Sequence, residues 1–155
     1  MLFRSERDAG IEIQSVTVVA PGGAPFSSIR KQAVRLSDAV VRRRDIDRLM
    51  ARNDSGDIPE NYQPMHIQTL QYALDDVRGI ADPKGMRGTT LSVDYTLVCG
   101  LRTSLANFRE ALALNHLETD RFLHAGYAAG LACLSAEERD LGSVVVDMGG
   151  GTTSI

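Results

Sequence analysis

The sequence predicts an α+β fold in which a strand, a helix and two further strands build a small antiparallel sheet, with α/β elements on either side. Three observations carry this prediction. Residues 89–99 alternate strictly, with Leu91, Val93, Tyr95, Leu97 and Cys99 on one side, the two-residue period of a half-buried strand. Residues 65–74 alternate well enough for another strand: Ile67, Thr69, Gln71 and Ala73 oppose His66, Leu70, Tyr72 and Leu74. Residues 43–53 place Ile46, Leu49 and Met50 at i, i+3 and i+4, which is one face of a short amphipathic helix.

The other elements follow in chain order. Residues 5–9 suit a helix, and Gly10 can take the left-handed conformation that closes one. Ile11, Ile13, Val16, Val18 and Val19 read as a strand ending in the turn Pro21-Gly22-Gly23. A second short strand is expected over 30–36, where Ala33, Val34 and Leu36 are apolar. Gly56, Pro59 and Pro64 make 54–64 a loop, and 75–88 is a run of turn formers containing Asp82-Pro83, Gly85 and Gly88. Ser104 is the expected N-cap of a helix that presents Leu105, Phe108, Ala111 and Leu112. Residues 117–123 read as a strand, and 126–134 as a helix of small residues (Ala128, Ala129, Gly130, Ala132) suited to close packing. Residues 143–146 form a short, fully apolar strand, the pattern of a sheet buried on both faces. Residues 30–114 are thus expected to make one compact unit with a three-stranded antiparallel sheet, in which 65–74 pairs with 89–99.

Composition narrows the function classes. Hydrophobic residues make up 43% and charged residues 24% of the 155, the balance of a globular protein. The net charge is −3 with acids and bases interleaved, so the chain carries no electrostatic footprint for nucleic acid. The one basic run, Arg42-Arg43-Arg44, meets Asp45 and Asp47 at once and reads as a solvated helix start. Cys99 and Cys133 lack the close Cys or His spacing of a metal site and are expected as buried, reduced thiols. The three histidines, His66, His116 and His124, are scattered. Charges at Arg4, Glu6, Arg7 and Asp8 leave no apolar core for a signal peptide, and the uncharged, largely apolar stretch 122–134 is short for a membrane span. A cytoplasmic location is expected.

One stretch carries chemistry. Asp147-Met148-Gly149-Gly150-Gly151-Thr152-Thr153 directly follows the apolar strand. Consecutive glycines leave backbone N–H groups unobstructed, and such a nest of amides binds phosphate oxygens. The hydroxyls of Thr152 and Thr153 can add donors. An aspartate at the strand end can hold Mg²⁺ through water, because that ion keeps most of its hydration beside phosphates. A bare triple glycine is more often an ordinary turn; the preceding Val144-Val145-Val146-Asp147 and the two threonines favour the phosphate reading.

Val145-Val146-Asp147-Met148-Gly149-Gly150-Gly151-Thr152-Thr153 resembles the second phosphate loop of the actin, Hsp70 and sugar-kinase superfamily. Within it, the upstream sequence resembles the FtsA family. The matching segments are Asp82-Pro83-Lys84-Gly85-Met86-Arg87-Gly88 followed by Leu91, and Tyr127-Ala128-Ala129-Gly130-Leu131-Ala132. Glu137-Glu138 with Leu141-Gly142, Asp45-Ile46-Asp47-Arg48-Leu49, and Ala9-Gly10-Ile11 with Ser15-Val16 match as well. The likeness runs over about residues 6 to 153. The sequence departs from the family pattern in lacking the first phosphate loop, the adenosine-binding residues, the second lobe and the C-terminal amphipathic helix.

The resemblance implies three segments. Residues 1–21 end one part of an actin-like, ribonuclease H-like lobe, 22–116 form an inserted strand-helix-strand-strand (SHS2-type) interaction subdomain, and 117–155 return into the lobe with the phosphate loop. It implies ATP and Mg²⁺ as cofactors of the intact parent, held in part by Asp147, Gly149, Gly150, Gly151, Thr152 and Thr153, with Asp147 on the metal through water. This segment by itself is expected to bind neither and to be no enzyme, because such sites form between two lobes; the parent is implied to be at most a weak ATPase. The implied partners are FtsZ, other division proteins and further copies of the same protein. Attachment to the inner face of the membrane at the division site would run through the missing C-terminal helix. A pilus-assembly homologue or another ATP-binding domain of the superfamily is the competing reading, and the segment 82–88 speaks against it.

Overall fold

The computed structural model describes residues 6–8, 10–20, 25–51 and 58–155. The chain separates into two compact units, one made of Met1–Pro25, Asn61–His66 and Gly100–Ile155, the other of Phe26–Glu60 and Ile67–Cys99. The turn expected at Pro21-Gly22-Gly23 and the first four residues of the loop expected over 54–64 lie outside the described residues.

The second unit is an α+β element as expected. Its sheet has the order β2-β5-β3-β4, with β2 at Phe26–Arg35, β3 at Tyr62–Leu74, β4 at Val77–Ile80 and β5 at Thr90–Leu101. The two alternating segments read from the sequence are hydrogen-bonded neighbours, β3 beside β5. β4 adds a fourth strand to the three expected. Its residues lie in the run of turn formers, and they pair only because Asp75 and Gly79 adopt positive φ (52° and 75°) and fold the chain straight back on β3. Leu91, Val93, Tyr95, Leu97 and Cys99 are all buried, which the strict alternation of β5 predicts. On β3 the alternation of burial ends at Ala73 and Leu74, which are both buried, and the partner strand β4 carries one extra residue between Val77 and Ile80. Pro64 lies within β3 rather than in a loop; β4 pairs β3 only near Tyr72 and Leu74, so the missing proline N–H breaks no β3–β4 bond.

Helix α1, Arg43–Ala51, packs on β2 and buries Leu49. Its start is fixed by Asp45, whose buried carboxylate accepts the Arg42 N–H at 3.0 Å and the Arg48 guanidinium at 3.3 Å. This satisfies one of the donors a helix start leaves open. Residues 82–88 lie against the segment leading into α1: Val40 bridges Arg87, Val41 N–H donates to Met86 O and Gly85 N–H to Val41 O, both at 2.9 Å. Asp82 Oδ1 accepts the Lys84 N–H at 3.0 Å, Pro83 is fully buried, and Gly85 has φ 83°. The segment is thus a self-capped turn whose glycine answers to a left-handed backbone.

In the first unit, β1 (Ser15–Ala20) pairs in parallel with β6 (Glu118–His124), although the whole four-stranded sheet lies between them in sequence. Ahead of β1, Gly10 has φ 68° and its N–H reaches Glu6 O at 2.8 Å, the left-handed closure expected of it. Ile11 is exposed and stays outside the strand. Helix α2, Arg102–Ala113, begins two residues before Ser104, so serine is not its cap. The Arg102 N–H is satisfied instead by Asn61 O at 2.9 Å, which makes a side-chain cap unnecessary. α2 buries Leu105 with Ala20 and Phe122, and Val18, Met65 and Phe108 pack around them. The Arg109 guanidinium lies 4.9 Å above the Phe122 ring. Helix α3, Ala125–Cys133, is followed by α4, Ala136–Leu141, which opens with a full capping box between Ser135 and Glu138. Cys99 is buried, but Cys133 is exposed, because α3 turns that position to solvent; both thiols are free.

The chain also differs from expectation at residues 143–146, which form no strand; strand structure begins only at Asp147–Met148 (β7). A strand of a doubly covered sheet persists only where neighbours take up its backbone groups, and among the described residues none pairs with 143–146.

Candidate phosphate turn and interaction module

β7 pairs with β8, Thr153–Ser154, in a two-stranded antiparallel hairpin with Asp147 opposite Ser154 and Met148 opposite Thr153. The turn between them is Gly149 to Thr152, closed by the Gly149 N–H donating to Thr152 O at 2.9 Å. All six residues singled out in the sequence therefore meet on one hairpin: Asp147, Gly149, Gly150, Gly151, Thr152 and Thr153. Within the described residues, the N–H groups of Gly150, Gly151 and Thr152 have no acceptor. A Cβ built on Gly150 or Gly151 would meet nothing within 4 Å, so the turn faces open space. Neither glycine has a left-handed φ. Their value here is the bare approach they give to the amides rather than an unusual backbone.

Asp147 is half-buried, and its carboxylate accepts no hydrogen bond from the described residues. It does not cap the glycine turn, since the closing bond there is backbone to backbone. An unengaged carboxylate beside three open amides suits hydrated Mg²⁺ and phosphate oxygens.

Small residues position the hairpin. A Cβ on Gly126, in the first turn of α3, would lie 3.2 Å from Ser154 Cβ, and one on Gly130 would lie 3.7 Å from Val145 Cγ2. The small-residue helix thus packs against β8 and the segment leading into the hairpin. Upstream in the same unit, the His66 ring stacks on Tyr127 with centroids 4.7 Å apart, and both His66 ring nitrogens are buried without a partner. Burial, and secondarily the nearby His124, hold the His66 pKa below its ordinary value. No sequence spacing pointed to this stack, because it joins a strand to a helix from the far side of the sequence. Among the described residues no cluster of His, Cys, Asp and Glu has the arrangement of a metal site, and no helix is long and apolar enough to cross a membrane.

The four-stranded sheet with its covering helix defines a class, an α+β module of strand-helix-strand-strand type. Residues 22–99 match the family model described as "SHS2 domain inserted in FTSA". The chain belongs to the FtsA family of cell-division proteins. It is 33% identical over 151 residues to the cell division protein FtsA of Agrobacterium fabrum, covering 97% of this chain and 34% of that relative. It is 30% identical over 151 residues to FtsA of Neisseria meningitidis serogroup B, covering 97% of this chain and 36% of the relative. Against FtsA of Escherichia coli K12 it is 27% identical over 152 residues, again covering nearly the whole chain and 36% of the relative. The chain spans about a third of the length of the curated relatives it matches.

Proposed function

We propose that this chain is part of an actin-like, ATP-binding scaffold that links the FtsZ ring to the inner face of the membrane at the division site. Within it, the segment described here acts mainly as a protein–protein interaction module. The match of residues 22–99 to the inserted domain carries this reading, and the open-edged sheet of the second unit suits binding of another chain. The glycine turn supplies one side of the nucleotide site, with Asp147 holding Mg²⁺ through water and the open amides of Gly150, Gly151 and Thr152 receiving phosphate. One such turn makes few of the contacts that nucleotide binding and phosphoryl transfer need. This chain alone is therefore expected to turn over no ATP and to bind Mg-ATP no more tightly than about millimolar.

The module role is tested in the full-length protein by replacing residues 26–99 with a short Gly/Ser linker. Mg-ATP binding should survive, and cosedimentation with FtsZ polymers and capture of other division proteins should fall. Undiminished capture of every partner would sink it. The nucleotide role is tested by Asp147→Ala in the same protein. The melting temperature without nucleotide should stay put while the stabilisation given by Mg-ATP shrinks. An equal loss of about 1–3 kcal/mol with and without nucleotide would instead identify Asp147 as a structural hydrogen-bonding group.

A further inference from the structure

We propose that the free edge of β2 is the docking site of an extended, acidic segment of a partner protein, which joins the sheet as a fifth strand. The inference rests on the interaction role proposed above and assigns it a surface and a partner chemistry.

The two edges of the sheet are built differently. β4 has four residues, meets β3 across a register irregularity and contains Gly79 at φ 75°. A short, bent strand of this kind blunts an edge against further pairing. β2 has ten residues and keeps one register with β5 from Phe26 opposite Cys99 to Arg35 opposite Thr90. The Leu36 N–H donates to Thr89 O at 2.8 Å. In an antiparallel ladder that orientation repeats every second residue, so Val34, Gln32, Arg30 and Ser28 aim their N–H and C=O groups at β5. Ala33, Lys31, Ile29 and Ser27 aim theirs outward, and no strand of the described residues takes them up. The next outward acceptor, Arg35 O, is engaged by the Arg48 guanidinium at 3.1 Å, which closes one end of the free stretch.

Side chains then select the partner. Ile29 stands in the middle of the edge and is 75% exposed. β2 carries Arg30, Lys31 and Arg35 and no acidic residue. Lys31 lies opposite Asp94, but that carboxylate accepts from Gln71 at 2.9 Å, and neither Lys31 nor Arg35 has an ion-pair partner among the described residues. A second copy docking edge to edge would set one cationic strand against another, and like charges across a strand pair destabilise it. Lysine on an edge strand discourages indiscriminate pairing; here it favours a strand of opposite charge with an apolar residue near Ile29.

The test uses the whole chain, isotope-labelled, with amide exchange read residue by residue. The probes are a soluble peptide of alternating valine and glutamate and its counterpart of alternating valine and lysine. The glutamate peptide should slow exchange at Ser27, Ile29, Lys31 and Ala33, with affinity falling as salt is added, and the lysine peptide should leave them unchanged. The double substitution Lys31→Glu, Arg35→Glu should weaken the glutamate peptide by about tenfold and let the lysine peptide bind. Ala33→Pro removes an outward N–H that the β5 ladder does not use. It should abolish edge binding; should it unfold the chain, the charge reversal still decides. No protection at the edge amides, an equal response to both peptides, or protection of the same amides by self-association would each overturn the proposal. Protection confined to α1 or β4 would overturn the edge assignment and leave the interaction role standing, since the linker replacement tests that role separately.

Discussion

Strand β5 and residues 143–146 both read as strands in the sequence and have opposite fates. In β5, Leu91, Val93 and Cys99 are wholly buried, because β2 and β3 flank the strand and α1 packs on the same sheet. In the other segment Val144 is 79% exposed and Val146 50% exposed, while Val145 is half-buried beside Gly130. An apolar run states that a strand can be buried; neighbours decide whether it is. The sheet unit contains its own neighbours, so its pattern is fulfilled within the chain. Residues 143–146 have the pattern of a sheet interior, but among the described residues no strand pairs with them.

Four substitutions would break or sharpen this comparison. Leu91→Ala should cost about 2–5 kcal/mol by removing a fully buried side chain, whereas Val144→Ala should stay within about 0.5 kcal/mol. Denaturant unfolding of both variants measures the gap, and similar costs would mean that Val144 is buried after all. Gly88→Ala comes next. A Cβ there would lie 2.5 Å from Leu74 Cγ and 2.8 Å from Asp75 Oδ2, so the turn holding β4 must move, at about 1–3 kcal/mol. Unaltered stability would show that this corner of the sheet yields freely. Gly130→Ala should act in the opposite direction. Its Cβ would make an ordinary contact with Val145, and helix propensity favours alanine by about 1 kcal/mol, so thermal melting should rise slightly. A loss would mean that the fit between α3 and the segment leading to the phosphate turn is tighter than the contact distance indicates.

The smallest effect is one of pH. His66 has its folded-state pKa lowered by burial, so the unfolded chain binds the proton more readily. The stability this contributes is fully present above the unfolded value of about 6.5 and is lost as pH falls through the lower, folded value. Melting curves should drift downward as pH drops below that range. His66→Phe, which keeps an aromatic ring against Tyr127, should flatten the drift; an unchanged drift would place the proton elsewhere.

Much of the architecture was legible in the sequence because it rests on local periodicity and on residues whose backbone preferences are strong. The two-residue period of β5, the three-and-four spacing of α1, the left-handed closure at Gly10 and the turn around Asp82-Pro83 and Gly85 are each specified within a few neighbouring positions. The elements that differed depend on groups distant in sequence. β4 exists because Asp75 and Gly79 turn the chain onto β3, α2 starts early because Asn61 supplies an acceptor, and Pro64 is tolerated in β3 because β4 pairs only at that strand's far end. For the candidate site, the sequence named the residues, since their chemistry is written in Asp147 and the glycines. Tertiary structure decided that these residues close as a hairpin over Gly126 and Gly130 and leave three amides open. It also decided which sheet edge stays available, because hydrogen-bond direction along β2 is fixed by pairing with β5, a partner far along the chain.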